Sequence, residues 1–273
     1  MKRKEYRTLY GKIVYWVSRA GEDRPWLVFL PGLTADHRLF GRQIAAFRER
    51  YNCLVWDAPA HGQSRPFALK FTMDDLAEYL HGIFREEKIQ KPVLTGQSLG
   101  GYIAQVYMEL YPDDVSAFIS IDSCPLHRSY YTKAELFLLK HTKGMYLAIP
   151  WKWLLCWGTA GTARTEYGRR LMRRMMMDYE KEAYCTLADY GHRIFAEAVE
   201  TGRSYQIPCP ALVLCGQKDR AGSARRYNAR WEKRERGKIT FCWVADAGHN
   251  ANTDRPEAVN GEIEKFVRRI QNG

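Results

Sequence analysis

Short apolar runs alternate with amphipathic segments along most of the chain. Two segments, residues 6–10 and 12–18, flank Gly11 and predict an N-terminal hairpin. Continuous apolar runs are typical of parallel strands covered on both faces, because a half-exposed strand would alternate apolar with polar side chains. The pattern therefore predicts an α/β fold with a mostly parallel eight-stranded sheet flanked by helices. The remaining six predicted strands are residues 26–30, 53–56, 92–95, 117–121, 211–215 and 239–244.

Amphipathic segments between these runs predict the helices. Thr72 and Asp75 form a capping-box pattern ahead of one apolar stripe. A second stripe follows the glycine-rich turn at residues 96–101, and a third follows Pro256, a residue favoured in the first turn of a helix. Helices that alternate with buried strands are typical of crossover connections in a parallel sheet.

The alternation stops between about residues 127 and 205. This stretch has helical spacing, contains no strand-like run and is rich in Trp, Met, Tyr and Arg. An alternation of strands and helices that stops and then resumes indicates an insertion over one end of the sheet. We predict a core of residues 1–126 and 205–273 and a helical cap of residues 127–204.

Composition limits the classes of protein that need be considered. The chain has 273 residues, of which 46% are hydrophobic and 27% charged, as in an ordinary globular enzyme. The basic N-terminus leads into no apolar segment, and the most apolar stretch, residues 145–157, is too short to span a bilayer. Seven scattered cysteines without a C-x-x-C pair predict reduced, structural thiols and no metal site. We expect a cytoplasmic protein without stable membrane insertion.

The formal net charge of +11 raises the question of an acidic partner. The basic clusters at residues 169–174 and 225–238 have helical spacing, with glutamates nearby, and are typical of solvated helix faces. No nucleic-acid-binding module can be placed, so we expect no nucleic-acid partner. A weak attraction to anionic substrates or membrane surfaces stays open, and the sequence does not give the oligomeric state.

One motif predicts a nucleophile. Gly96-Gln97-Ser98-Leu99-Gly100 matches G-x-S-x-G and lies between a predicted strand and an amphipathic helix. This strand–turn–helix context is what a nucleophile elbow requires, because the sharp turn projects the serine hydroxyl above the sheet. A bare G-x-S-x-G occurs by chance, so its position between these two elements favours Ser98 as a nucleophile over an ordinary turn serine.

The last two predicted strands supply partners for Ser98. Asp219 follows the run at 211–215, and His249 follows the run at 239–244. Carboxyl ends of parallel strands meet at one edge of the sheet, so we predict a Ser98–Asp219–His249 triad. Asp122 closes the run at 117–121 and is a competing candidate for the acid. Asp246, just before His249, is more typical of a turn or pairing residue.

Two further segments carry a resemblance to a known superfamily. Residues 57–64 resemble the Asp-x-x-Gly-x-Gly-x-Ser segment of capped α/β-hydrolases, with Ala60 at its first glycine position. Residues 247–252, followed by Pro256-Glu257, resemble the histidine loop of the same superfamily. The resemblance is to the serine-nucleophile, esterase- and lipase-like members. It covers nearly the whole chain and implies the α/β-hydrolase fold.

The resemblance also implies a second part of the site. Leu30-Pro31-Gly32-Leu33 resembles the oxyanion loop, with Pro31 in place of the usual histidine. By position, the backbone N–H groups of Leu33 and Leu99 are expected to form the oxyanion hole. The superfamily members that it resembles need no cofactor or metal. A serine at position 98 argues against the dehalogenases and epoxide hydrolases, which have aspartate there.

These inferences predict a serine hydrolase that cleaves a carboxylic ester of a small to medium hydrophobic substrate through an acyl-enzyme. Hydrolysis of a thioester or a carbon–carbon bond, or acyl transfer, is the alternative on the same residues. A non-catalytic ligand receptor is a further alternative. We expect Trp153, Trp157 and Met176 of the cap, with His61, to bind the small-molecule substrate, whereas most Trp and Met residues of the cap are expected to pack it onto the core.

Overall fold

A twisted sheet forms the centre of the computed structural model, which describes residues 1–203 and 206–272. Its eight strands lie in the order β1-β2-β4-β3-β5-β6-β7-β8, and all pairs from β4 to β8 are parallel. This sheet confirms the predicted fold class. The strands are β1 (Lys2–Thr8), β2 (Gly11–Ser18), β3 (Trp26–Leu30), β4 (Asn52–Trp56), β5 (Val93–Gln97), β6 (Ala117–Ile121), β7 (Ala211–Gly216) and β8 (Thr240–Val244).

The N-terminal hairpin differs from its prediction in where it turns. Strand β1 ends at Thr8, and Leu9 and Tyr10 form the turn, so Gly11 pairs with Thr8 as the first residue of β2. Thr8 Oγ1 accepts a hydrogen bond from the Tyr10 N–H and closes this turn. A side chain at Gly11 would collide with Phe67, which explains the glycine at the start of the strand.

Helices cover both faces of the sheet. Apolar side chains from α2, α3 and α9 pack on one face, and those from α1 and α11 pack on the other. Thr72 and Asp75 form the predicted capping box at the start of α2. The core helices are α1 (Gly41–Phe47), α2 (Met73–Glu87), α3 (Leu99–Leu110), α9 (Ala224–Arg234), α10 (Ala251–Asp254) and α11 (Pro256–Asn272).

Between β6 and β7 the described part of the chain contains helices joined by short loops and no strand, as the interrupted alternation predicts. We call helices α4–α8 the cap. Its C-terminal boundary, placed between residues 204 and 205, lies outside the described residues. No helix in the described ranges is both long and apolar enough to cross a membrane. The cap helices are α4 (Lys133–Leu139), α5 (Lys143–Ala148), α6 (Trp151–Thr162), α7 (Glu166–Met177) and α8 (Lys181–Glu200).

Candidate active site

Ser98 occupies a strained turn between β5 and α3. Its backbone angles, φ 49° and ψ −115°, are rare for a residue with a side chain. The turn is held by the Ser98 N–H, which donates to the Ile121 carbonyl oxygen at 3.0 Å. Such conformations persist only where the surrounding structure enforces them, and they cluster at functional sites.

The glycines of the motif allow this turn. A Cβ at Gly100 would overlap the carbonyl group of Leu30 on the neighbouring strand, and one at Gly96 would overlap the backbone of Gly100. Neither obstacle can move away, because each belongs to the backbone of the central sheet or of α3. Glycine at both positions therefore lets the helix begin directly above the strand end, with Ser98 at its N-terminus.

Hydrogen bonds connect Ser98, His249 and Asp219 in a chain. Ser98 Oγ lies 2.9 Å from His249 Nε2, and His249 Nδ1 lies 2.9 Å from Asp219 Oδ2. A carboxylate can only accept, so His249 Nδ1 carries the proton and Nε2 is free to accept from the Ser98 hydroxyl. The other oxygen of Asp219 accepts the Ala221 N–H at 2.7 Å, which fixes the carboxylate plane.

Electrostatics favour a basic His249. Burial lowers its pKa, but the charge and hydrogen bond of Asp219 raise it, and the charge of Asp122 adds to them. The net pKa of His249 lies above the ordinary value near 6.5. A raised pKa makes the ring a better proton acceptor toward the hydroxyl of Ser98.

Asp122, the competing acid, has a different place. It is buried at the end of β6 and accepts hydrogen bonds from the Gly216 N–H at 2.6 Å and the Ala251 N–H at 2.9 Å. Burial and the charge of Asp219 raise its pKa well above the ordinary range. The described structure gives it no hydrogen bond to His249. Asp122 instead holds together the two loops that carry Asp219 and His249.

Asp246 pairs with Lys218 and Arg255 at the surface. Its φ of 58° is typical of a turn residue, as the sequence predicts. Its side chain is about half exposed.

Two residues that the sequence analysis did not single out hold the loop of His249. Gln97 donates to the His249 carbonyl oxygen at 2.9 Å. Asp254, at the end of α10, accepts the N–H groups of Gly248 at 2.8 Å and of Arg164 and Thr165 at the start of α7. The only signal for Gln97 in the sequence was its place beside Ser98, and Asp254 gave none.

Leu33 and Leu99, the expected oxyanion donors, both line the cavity above Ser98. Leu99 is the first residue of α3, and N–H groups in the first turn of a helix have no partner within it. The segment before Leu33 lies against the turn that carries Ser98, since a Cβ at Gly32 would be 3.1 Å from Ser98 Cβ. Both backbones therefore lie beside Ser98.

A cavity of about 630 Å³ lies between the sheet edge and the cap, with Ser98 and His249 in its floor. Aliphatic, methionine and aromatic side chains together form most of its wall. Within the described residues the wall contains no lysine or arginine, and its carboxylates are Asp122 and Glu135. Such a wall suits a neutral, largely apolar ligand, because a ligand carboxylate would be desolvated without a cation to pair with.

The structure separates the four residues predicted to bind substrate. Trp157 and Met176 line the cavity. Trp153 is absent from the wall, and 53% of this residue is exposed to solvent. His61 is buried outside the cavity wall, and its Nδ1 donates to the Pro59 carbonyl oxygen at 2.9 Å. Burial lowers the pKa of His61, so this ring is neutral. The structure therefore brings Trp157 and Met176 to the cavity but places neither Trp153 nor His61 in its wall.

Comparison with known proteins gives consistent matches. A sequence model described as the alpha/beta hydrolase family matches residues 27–262. The chain is 23% identical over 272 residues to the uncharacterized hydrolase YugF of Bacillus subtilis, and the alignment covers 96% of each chain. It is 21% identical over 254 residues to 3-oxoadipate enol-lactonase 2 of Acinetobacter baylyi, covering 91% of this chain and 90% of the relative.

Solved structures show the same fold. A thermophilic esterase from Thermogutta terrifontis superposes with a TM-score of 0.80 at 19% identity, and the match covers 99% of each chain. The enol-lactonase from Burkholderia xenovorans gives a TM-score of 0.72 at 18% identity, over 94% of this chain and 97% of the other. At these identities the likeness concerns the fold.

Proposed function

The chain belongs to the alpha/beta hydrolase family, and we propose that it is a serine hydrolase that cleaves carboxylic esters of small to medium hydrophobic substrates. The observation that carries this proposal is the hydrogen-bonded chain of Ser98, His249 and Asp219 at the floor of an apolar cavity. Each member has the partner and protonation state that acyl transfer requires.

The proposed reaction proceeds in two halves. Ser98 Oγ attacks the ester carbonyl carbon while His249 Nε2 takes its proton, and the same proton then passes to the departing alkoxide. Water next attacks the acyl-enzyme, with His249 again accepting a proton, and releases the carboxylic acid and Ser98. Asp219 stabilises the imidazolium in both halves and keeps the proton on Nδ1. The overall reaction consumes the ester and one water molecule and needs no other reactant.

Backbone N–H groups stabilise the negative charge in this proposal. Leu33 and Leu99 donate to the oxyanion of each tetrahedral intermediate, and loss of one such donor typically costs about 3–4 kcal/mol of barrier. The N-terminus of α3 adds a favourable dipole at the same point. Main-chain donors supply this without any particular side chain at position 33 or 99.

The cavity supports an uncharged substrate. Trp157 and Met176 present apolar surface, and the absence of a cation in the described wall disfavours acids. We therefore expect neutral esters to be hydrolysed faster than esters of the same length that carry a carboxylate. A flexible apolar pocket discriminates weakly between neighbouring chain lengths, so several acyl lengths should be accepted.

A fluorophosphonate probe tests the nucleophile, and an ester panel tests the substrate class. Wild-type protein should be labelled at Ser98 and should hydrolyse neutral esters of graded acyl length. The panel should include thioesters and enol-lactones, because relatives of this chain include enol-lactonases. A preference for thioesters would move the assignment to the alternative on the same residues. Unlabelled protein that binds esters without turnover would identify a receptor instead.

A further inference from the structure

Large apolar side chains are unusually exposed on the cap. Among the described residues, eight of the twelve exposed large apolar side chains belong to it. Single exposed apolar residues are common on protein surfaces, but a contiguous group indicates a binding surface. The six that lie on α4, α5 and α6, which we call the cap patch, are Phe137, Leu138, Met145, Leu147, Trp153 and Trp157.

The cap patch borders the cavity. Leu138 and Trp157 line the cavity, although 61% and 56% of their surfaces are exposed, so both lie at its rim. The ring of Trp153 lies 6.0 Å from that of Trp157, and Phe137 precedes Leu138 on α4. On α5, Tyr146 faces the cavity between the two exposed neighbours that belong to the patch. The patch is therefore continuous with the opening.

Positive charge accompanies the cap patch. Residues 127–162 contain five lysines and arginines and one acidic residue, Glu135. Glu135 is already engaged by Arg226 and by the Tyr227 hydroxyl. Lys133 and Lys152 are exposed, and neither forms an ion pair within the described chain. The patch thus presents exposed apolar side chains together with two lysines, Lys133 and Lys152, that have no ion pair within the described chain.

We propose that the cap patch docks on an anionic lipid surface. Exposed tryptophans favour the interfacial region of a bilayer, and lysines beside them are attracted to anionic headgroups. Two copies of this chain paired through the same patch would instead bring like charges together. Docking would set the cavity mouth against the lipid, without any helix crossing the membrane. It does not depend on the proposed ester hydrolysis, which only determines what happens to a lipid that enters.

Vesicle co-sedimentation tests the docking. Vesicles of phosphatidylcholine with phosphatidylglycerol are compared with vesicles of phosphatidylcholine alone, and Ser98→Ala protein is used to leave the lipids intact. The protein should sediment with the anionic vesicles. Phe137→Ala/Trp153→Ala and Lys133→Glu/Lys152→Glu should each weaken binding roughly tenfold or more.

Matched controls remove the same kinds of group elsewhere. Leu9→Ala/Leu110→Ala truncates two exposed apolar side chains outside the cap. Lys2→Glu/Lys70→Glu changes the net charge by the same amount as Lys133→Glu/Lys152→Glu. Both should bind like the parent protein. In protein that retains Ser98, the Phe137→Ala/Trp153→Ala double variant should have the same kcat/KM on a water-soluble ester as wild type. This assay separates docking from hydrolysis.

Several results would overturn the proposal. These are no binding to anionic vesicles, equal binding to pure phosphatidylcholine, or patch variants that bind like their controls. Analytical ultracentrifugation without lipid supplies another: a dimer that the patch substitutions dissociate would assign the surface to a second copy. A monomer that binds anionic vesicles through the patch supports docking, whether or not the protein hydrolyses esters.

Discussion

Asp122 Oδ2 accepts a hydrogen bond from the backbone N–H of Ala251 at 2.9 Å, across 129 residues of sequence. Its other oxygen accepts from Gly216, the last residue of β7, which leads into the loop of Asp219. One buried carboxylate therefore fixes the spacing of the loops that carry Asp219 and His249. Asp122 competes for the role of acid in the sequence because it follows a strand end, but in the described structure both its oxygens accept backbone N–H groups and neither bonds His249.

Asp122→Asn should lower stability more than it changes the chemistry. An amide can accept only one of the two N–H groups and presents its own NH2 to the other, which costs about 1–3 kcal/mol. We expect a lower Tm and a fall in kcat/KM smaller than that of Asp219→Asn on the same ester. Thermal melts and steady-state kinetics of both variants measure this. A larger kinetic loss in Asp122→Asn would assign the acid to β6.

Ser98→Ala should abolish hydrolysis of activated esters and labelling by a fluorophosphonate. Removing a hydroxyl from the elbow leaves almost no cavity, so the Tm should stay within a degree or two of wild type. Turnover is measured on purified protein, with circular dichroism as the check on folding. Substantial retained turnover in well-folded Ser98→Ala protein would refute the proposed mechanism.

The acid limb of the pH–rate profile should report His249. The ring acts as a base only when Nε2 is unprotonated, so kcat/KM falls as pH drops through its pKa. Because the net shift of this pKa is upward, the limb should lie above 6.5. Asp219→Asn removes the charge and the hydrogen bond that raise it, so the residual activity should have its limb at lower pH. An unchanged limb would show that His249 does not control it.

Cap substitutions should change acyl-length preference only where they line the cavity. Trp157→Ala and Met176→Leu alter the wall, and each should shift the ratio of kcat/KM between short and medium acyl chains by about tenfold. Trp153→Ala is the matched control, because its ring lies outside the wall. Profiles across an ester series measure the shifts. A change in Trp153→Ala as large as in Trp157→Ala would contradict the lining.

The local parts of this fold could be predicted because they rest on short-range rules. Buried parallel strands show as apolar runs, and the capping box of Thr72 and Asp75 is a four-residue pattern. Ser98 stood out because glycines and a strand–helix junction surround it. The hairpin turn was predicted one residue too late in the chain, at Gly11. A glycine is present there because a side chain would collide with Phe67.

The side-chain contacts of the cap could not be predicted. A tryptophan on an amphipathic helix gives no sign of whether it faces a cavity or solvent, and Trp153 and Trp157 lie one turn apart with different neighbours. His61 was expected at the site from its loop, yet its ring turns inward to the Pro59 carbonyl. Long-range partners such as Gln97 and the carbonyl of His249 leave no trace in a single sequence.

The bonds from Asp254 to the start of α7 limit how this enzyme scaffold can be re-engineered. Asp254 joins Arg164 and Thr165 to the loop of His249, and the Asn250 N–H donates to the Thr162 carbonyl oxygen at 2.8 Å. A transplanted cap that ended within residues 162–165 would break these bonds and displace the loop of His249 along with the cavity wall. Grafts confined to α4 and α5 avoid that junction. Helices α4 and α5 can therefore be replaced independently to change specificity, whereas the segment at residues 162–165 must be kept together with the loop of His249.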